Sequence, residues 1–405
     1  MMAAAVLIEA GVREQIYIYE SNSMLGGKVF LSGGGHCNLT TALSGRKEIL
    51  EKYTRGGIFL KFAINYFPPK MVREWFRRHG LETKVEKSDR VFPLSEKSGD
   101  VVKVFERILK NGKNLEILLN TKVKDVSPDK NGKFIVKAAG RKNSFDFLLI
   151  ATGGRAGSGA SGYSFAQNLG HTITELAPSL TSFVVKEEWC GRLAGLSLSD
   201  CRIECVLKNN LAISVEGDFL FTHFGISGPA VFSLSSKAAF EKIGVQNPLK
   251  IFLIVDKKKK FTIWDSLLIE RIGKDGAKKI KNVFYGLLPD RLANTTFDSA
   301  GVDKEQKAAE ISKKERQRIA KLLGDGIEIN LISRKKGGEM VTAGGVSLDE
   351  VDPQTCESKK RPNLYFAGEV LNIDGFTGGF NLQNCWMTGR LAGQKIAEKL
   401  GRERI

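Results

Sequence analysis

Residues 364–397, LYFAGEVLNIDGFTGGFNLQNCWMTGRLAGQKIA, constrain the fold of this chain more than any other stretch. An apolar strand, LYFAGE, runs into a Gly-rich turn, and the turn delivers the backbone onto the start of a long helix at Asn381. A helix start offers unpaired N–H groups and the positive end of a dipole. With glycines just ahead of it, a flat electron-poor ring can come within hydrogen-bonding distance of that backbone.

The other end of the chain carries a complementary signal. Helical spacing over Ala3 to Ala10 stops at Gly11, and QIYIYE at 15–20 then alternates as a strand ending in Glu20. A strand closed by a carboxylate is the second strand of a dinucleotide-binding βαβ unit, in which the acid binds a ribose hydroxyl about 20 residues after a GxGxxG fingerprint. Counting back from Glu20 by about that length reaches Met1 or just before it. The fingerprint and its strand, roughly 15 residues, are therefore expected upstream of this sequence, which reads as truncated at its N-terminus. A start codon placed too late and a genuinely truncated remnant both fit that reading.

Between these ends lie a Gly-rich loop, LGGKVFLSGGGHCNLT at 25–40, and helical patterns near 56–66 and 69–80. Short strands at 115–119, 122–126 and 133–138 suggest a meander crossing over to FDFLLIATGG at 145–154. From 176 to 255 the runs SFVVKE, RIECVL, FLFTHFGISGP and LKIFLIVD are β in character, and from 261 to 323 the period turns helical and charged. The domain organisation expected is a nucleotide-binding domain from 1–175 and 337–405, interrupted by a β subdomain at 176–255 and a helical subdomain at 256–336.

Bulk composition narrows the class without deciding it. With 42% apolar and 26% charged residues the chain is an ordinary globular sequence, and no apolar run reaches the roughly 20 residues of a membrane span. Six cysteines without a CxxC pair fit a reducing cytoplasm, and Cys190, Cys201 and Cys205 lack the paired spacing and histidines of a metal site. Net charge is +17, and residues 252–336 hold 20 Lys/Arg against 12 Asp/Glu. A solvated basic face is the simplest account; contact with nucleic acid is the sharper one, although no aromatic residues interleave with the lysines.

Taken in order, strand–Glu20, GGK, SGGGHCN, VFP, ATGG, GHTI, FTHFGISGPA, TAGGVSLDEVDP, AGE and TGGFNLQ form a specific series. It resembles the BaiN/YhiN-like bacterial flavoproteins, often labelled aminoacetone-oxidase-like, from Met1 to about Lys399. The resemblance implies an α/β fold: a Rossmann-like FAD-binding domain of the glutathione-reductase type with an inserted β-barrel or sandwich and a small helical subdomain. By the same resemblance Glu20 binds the adenosine ribose of FAD, and Gly26, Gly27 and Lys28 begin the loop passing the pyrophosphate. Ser32, Gly33, Gly34, Gly35, Cys37 and Asn38 run beside the flavin, and Val123 contacts adenine through its backbone. Ala151, Thr152, Gly153 and Gly154 close the cofactor channel, with Gly368 and Glu369 at the ribityl and pyrophosphate end. Asp374, Gly378, Gly379, Asn381, Leu382 and Gln383 surround the pyrimidine edge, where helix-start N–H groups stabilise the charge of reduced flavin.

Two departures stand out. The family reads GGGRCN where this chain has His36, and an arginine's fixed charge and forked donors are not reproduced by histidine. His36 is the one candidate for a catalytic proton donor; local packing is the competing reading. The stretch RAGSGASGY at 155–163 is also shorter than the family's. His171 and His223 read as turn-fixing residues. The activity implied is FAD-dependent hydride transfer to a small organic substrate, with NAD(P)H or oxygen as second redox partner. A cofactor-free remnant and a basic flavoprotein acting on tRNA are the alternatives.

Overall fold

The computed structural model describes residues 1–155 and 161–402. They fall into two compact units, Met1–Ala177 with Val341–Ile405, and Pro178–Met340. The first unit is α/β. Its N-terminal helix, Met2–Glu9, is buried along most of its length, because MAAAVLIE offers small apolar side chains on every face. It lies against the C-terminal helix Phe380–Lys399, where a Cβ at Gly393 would come within 2.8 Å of the Ala3 carbonyl oxygen. Two glycines a turn apart, Gly389 and Gly393, thus let the backbones approach.

The parallel strands of this unit form two separate pairs. Ile16–Tyr19 pairs with Leu115–Leu118, and Leu148–Ile150 pairs with Leu364–Phe366. Among the described residues no strand joins the pairs. The segment read from sequence as the first meander strand, near 115–119, belongs instead to the first pair. The antiparallel meander is made by Val123–Pro128, Phe134–Ala138 and Arg141–Phe145. Leu115–Leu118 has no period-two burial to mark its partner, so local pattern could not separate the alternatives.

In the second unit six antiparallel strands close into a barrel, in the order Phe183–Val185, Gly225–Ser227, Ala212–Thr222, Ser197–Val206, Leu249–Ile254 and Ile327–Arg334. Alternate residues such as Ile203, Cys205, Ile251 and Leu253 point inward. The helices Phe261–Asp275, Asp290–Ala300 and Lys313–Gly324 share that core through Trp264, Phe297 and Leu323. All six cysteines are free thiols. Among the described residues no helix is long and apolar enough to cross a membrane and no acidic, His or Cys cluster could hold a metal ion.

Candidate cofactor site

The glycine loop and the start of the C-terminal helix, more than 300 residues apart in sequence, meet in the first unit. Gly33, Gly34 and Gly35 all take positive φ, so Ser32–Gly35 forms a tight turn closed by a bond from the Cys37 N–H to the Ser32 carbonyl, 2.9 Å. Above Gly34 and Gly35 the Cβ positions face open space, as a surface against which a ring lies flat would require. Cys37 is fully buried at φ 59, and burial pushes its thiol up to about 11 against the opposing Ser32 hydrogen bond, so it stays protonated at neutral pH.

Asn38 then reaches the helix start. With its amide oriented to satisfy both ends, the oxygen accepts from the Gly379 N–H at 3.2 Å and the nitrogen donates to the Thr40 carbonyl at 3.1 Å. Gly379 has φ 88, and a Cβ there would sit 2.4 Å from the Thr40 carbonyl oxygen; only glycine fits. The Thr40 hydroxyl donates to Gln383 Oε1 at 2.5 Å, Gln383 Nε2 donates to the Phe67 carbonyl at 2.9 Å, and Trp386 Nε1 donates to the Leu39 carbonyl. The Gln383 side chain is therefore committed to the protein interior, while Leu382 is half-buried. Asn381 clamps the preceding turn, accepting from the Gly375 N–H and donating to the Gly375 carbonyl, each at 2.9 Å. The N–H groups of the first helical turn, beginning at Phe380, are those a helix leaves unpaired.

Asp374 is fully buried and both its oxygens are held by Arg55, through Nε and, at 2.6 Å, through Nη2. Arg55 was not singled out in the sequence. Its signal, a lone arginine before Gly56-Gly57, is too short to point to a carboxylate 319 residues away. The pair joins the short strands Tyr53–Arg55 and Asp374–Gly375. Tyr53 adds a bond from its hydroxyl to the Phe380 carbonyl, 2.8 Å.

A second cluster lies at the other glycine turn. Lys28 donates to Glu369, whose Oε1 also accepts from the Thr342 N–H at 2.9 Å. Thr342 Oγ1 accepts from the Arg155 N–H at 2.8 Å, and Gly154 stands so close that a Cβ would fall on the Glu369 carboxylate. Lys28, Gly154 and Glu369 thus come together, with Thr342 as a member that no motif announced. Gly26 and Gly27 open the short helix that carries Lys28. The Gly368 N–H donates to Thr388 Oγ1, 2.9 Å, and Cys385 beside it is raised to about 11 by burial and by Glu369.

Glu20 ends its strand as expected but is engaged locally, accepting from the Asn22 N–H at 2.8 Å and from Asn22 Nδ2 at 2.7 Å. Val123 lies in the meander opposite Ala138. Ala151 and Thr152 are exposed, Gly153 half-buried and Gly154 buried after the strand Leu148–Ile150. Residues 156–160 of the short RAGSGASGY loop lie outside the described residues. His171 is buried, with Nε2 2.7 Å from Ser358 Oγ and Nδ1 3.2 Å from Glu350. The open space beside Gly34 and Gly35 and the free N–H groups of the helix start are compatible with a flat ring lying there.

The architecture is that of a Rossmann-like FAD-binding domain carrying an inserted six-stranded barrel. The chain belongs to the family described as HI0933-like protein Rossmann domain, whose sequence model matches residues 1–395. It is 26% identical over 414 residues to the 3-dehydro-bile acid delta(4,6)-reductase of Clostridium scindens, covering 98% of this chain and 97% of that protein. It is also 26% identical over 401 residues to the ribosomal RNA dihydrouridine synthase of Escherichia coli K12, covering 98% and 95%. Among solved structures, E. coli quinol fumarate reductase FrdA matches with a TM-score of 0.50 at 13% identity, over 99% of this chain and 68% of that one, a likeness of fold.

Proposed function

We propose that this protein is an FAD-dependent oxidoreductase that saturates a carbon–carbon double bond conjugated to a carbonyl. The observation that carries the reading is the meeting of the Ser32–Asn38 loop with the start of the helix Phe380–Lys399, a glycine-lined cradle against unpaired N–H groups. Flavin, when bound, supplies a hydride at N5. The chain's own residues would hold and orient it: the helix-start N–H groups would face its pyrimidine edge, Arg55 and Asp374 fix the turn ahead of them, and Lys28 with Glu369 would line its ribityl and pyrophosphate end. In this reading Glu20 serves the adenosine ribose, Val123 the adenine, and Gly26 and Gly27 the pyrophosphate, while Ala151–Gly154 close the cofactor channel.

The relatives' names support the reaction type. A 3-oxo-Δ4,6 ring system and a uracil ring each present a C=C bond conjugated to C=O, and reduction of either adds hydride and a proton across it. NAD(P)H is the reductant this reading uses, as a diffusing partner. Purified protein should be yellow and release FAD on denaturation; a colourless protein that binds no added FAD refutes the reading.

A second reading, RNA as the molecule carrying the reducible base, draws on the relatives named as ribosomal RNA dihydrouridine synthases and on charge. The charge is not confined to one region. The first unit holds 35 Lys/Arg against 25 Asp/Glu and the second 27 against 20. In the second unit much of it is matched, since Lys257 meets Asp200 and Glu216, and Lys279 and Lys281 meet Glu305. RNA retention that falls steeply between 50 and 200 mM salt, on the order of 10³-fold, would support it, and no retention at low salt would remove it.

A further inference from the structure

We propose that His36 is the proton donor of this reduction, delivering a proton from Nε2 to the substrate carbon that does not receive hydride; the inference rests on the flavin-dependent reading above. His36 follows the Gly33–Gly35 run and precedes Asn38 by two residues, so its Cα stands at most about 7 Å from that of the residue touching the helix start. The two residues just before it, Gly34 and Gly35, leave open space beside their backbone.

The ring is oriented for the task. Its Nδ1 lies 2.9 Å from the Glu96 carbonyl oxygen and donates to it, which fixes one nitrogen; Nε2 has no partner among the described residues. The Glu96 carboxylate stands 4.0 Å from Nδ1 and is itself held by Lys84. Those are the charged groups that face the ring, from the turn after Arg90–Pro93 and from the neighbouring strand Thr83–Glu86. The side chain is 54% exposed, which a residue kept for packing would not be and which reprotonation from solvent requires.

The step balances. The β-carbon of the conjugated bond accepts hydride from the reduced flavin, forming a C–H bond, and the C=C π pair shifts to the α-carbon. That carbon takes the proton as the Nε2–H bond breaks, leaving neutral imidazole, oxidised flavin and a substrate with two more hydrogens.

FAD-loaded wild type, His36→Gln and His36→Arg test this. Flavin content and the rate of flavin reduction by dithionite should be unchanged. Reoxidation by a 3-oxo-Δ4 steroid probe should fall about 10²-fold in His36→Gln, with loss of the pH dependence of that step. The flavin visible spectrum of wild type should shift as the imidazole titrates, and His36→Gln should abolish the shift. Identical spectral titrations in wild type and His36→Gln overturn the proposal whatever the substrate. Equal reoxidation rates with an unchanged pH profile also overturn it. A wild type that holds flavin, titrates as stated and ignores the probe supports His36 beside the ring and removes only the substrate reading; a wild type that binds no flavin removes both.

Discussion

In the unit Pro178–Met340 six antiparallel strands close on themselves, whereas the parallel strands of the other unit stand in two separate pairs. A closed barrel pairs both edges of every strand and needs nothing further to satisfy its backbone. Two-stranded parallel pieces leave outer edges, and parallel sheets are ordinarily covered on both faces. Here Tyr17 and Ile117, on one such pair, are 36% and 37% exposed. The Rossmann-like unit is held by an apolar core in which helices pack against these strands, and by polar links, Arg55–Asp374, Thr40–Gln383 and the half-exposed Lys28–Glu369. Each unit holds its own apolar core; what separates them is that the strands of one close on themselves and those of the other do not.

Removing a buried partner is the sharpest way to break that contrast. Arg55→Leu removes the guanidinium that holds both oxygens of the fully buried Asp374 carboxylate and should cost about 3–5 kcal/mol. Hydrogen exchange should show the loss in residues 1–177 and 341–402 and not in 178–340; equal loss in both would erase the distinction. Saturating FAD should restore stability to the same unit, by about 2.7 kcal/mol at a free concentration 100 times Kd, seen as slower exchange there alone. Gly379→Ala should cost roughly 1–3 kcal/mol from its backbone angle, more if Thr40 cannot move, and should lower flavin content in the purified protein.

Acidification sharpens the comparison further. Burial, with lesser opposition from Glu350, lowers the His171 pKa below its ordinary 6.5, so the unfolded chain binds the proton first as pH falls. Stability is complete above about 6.5 and declines as pH drops through that value toward the lower folded pKa. Burial would raise the Glu350 carboxyl, but Lys360 and the Thr172 N–H and hydroxyl outweigh it and hold it at about 2. Its contribution is present above about 4.5 and is lost between there and 2. Denaturation against pH should show both losses in the first unit, and His171→Gln should flatten the upper one. The smallest effect is expected from Glu305→Gln: Lys281 and Lys279 hold that carboxyl at about 2, yet it is open to solvent, so the unfolding midpoint of the barrel unit should not move measurably.

Much of this was legible in residue order. LYFAGE followed by TGG is a strand, a turn and a helix, and the helix begins at Phe380, one residue before the expected Asn381. The strand before Glu20 and the β runs from 183 to 254 are likewise seen, since apolar alternation acts within a few residues. The pairing of Leu115–Leu118 was misread because a strand's partner is not written in its own period. Asp374 illustrates the same limit at the site: its sequence shows an acid in a turn, and its interior ion pair comes from Arg55, far away in the chain.

By itself the sequence determined which segments are helix or strand, where the glycines stand, and the family to which the chain belongs, because these depend on local sterics and on the order of motifs. Tertiary structure decided that the barrel closes, that Gln383 turns inward to Thr40 and Phe67, and that Thr342 and Arg55 join the site. Those outcomes depend on desolvated hydrogen bonds between distant residues, whose strength exists only once folding has excluded water from around them.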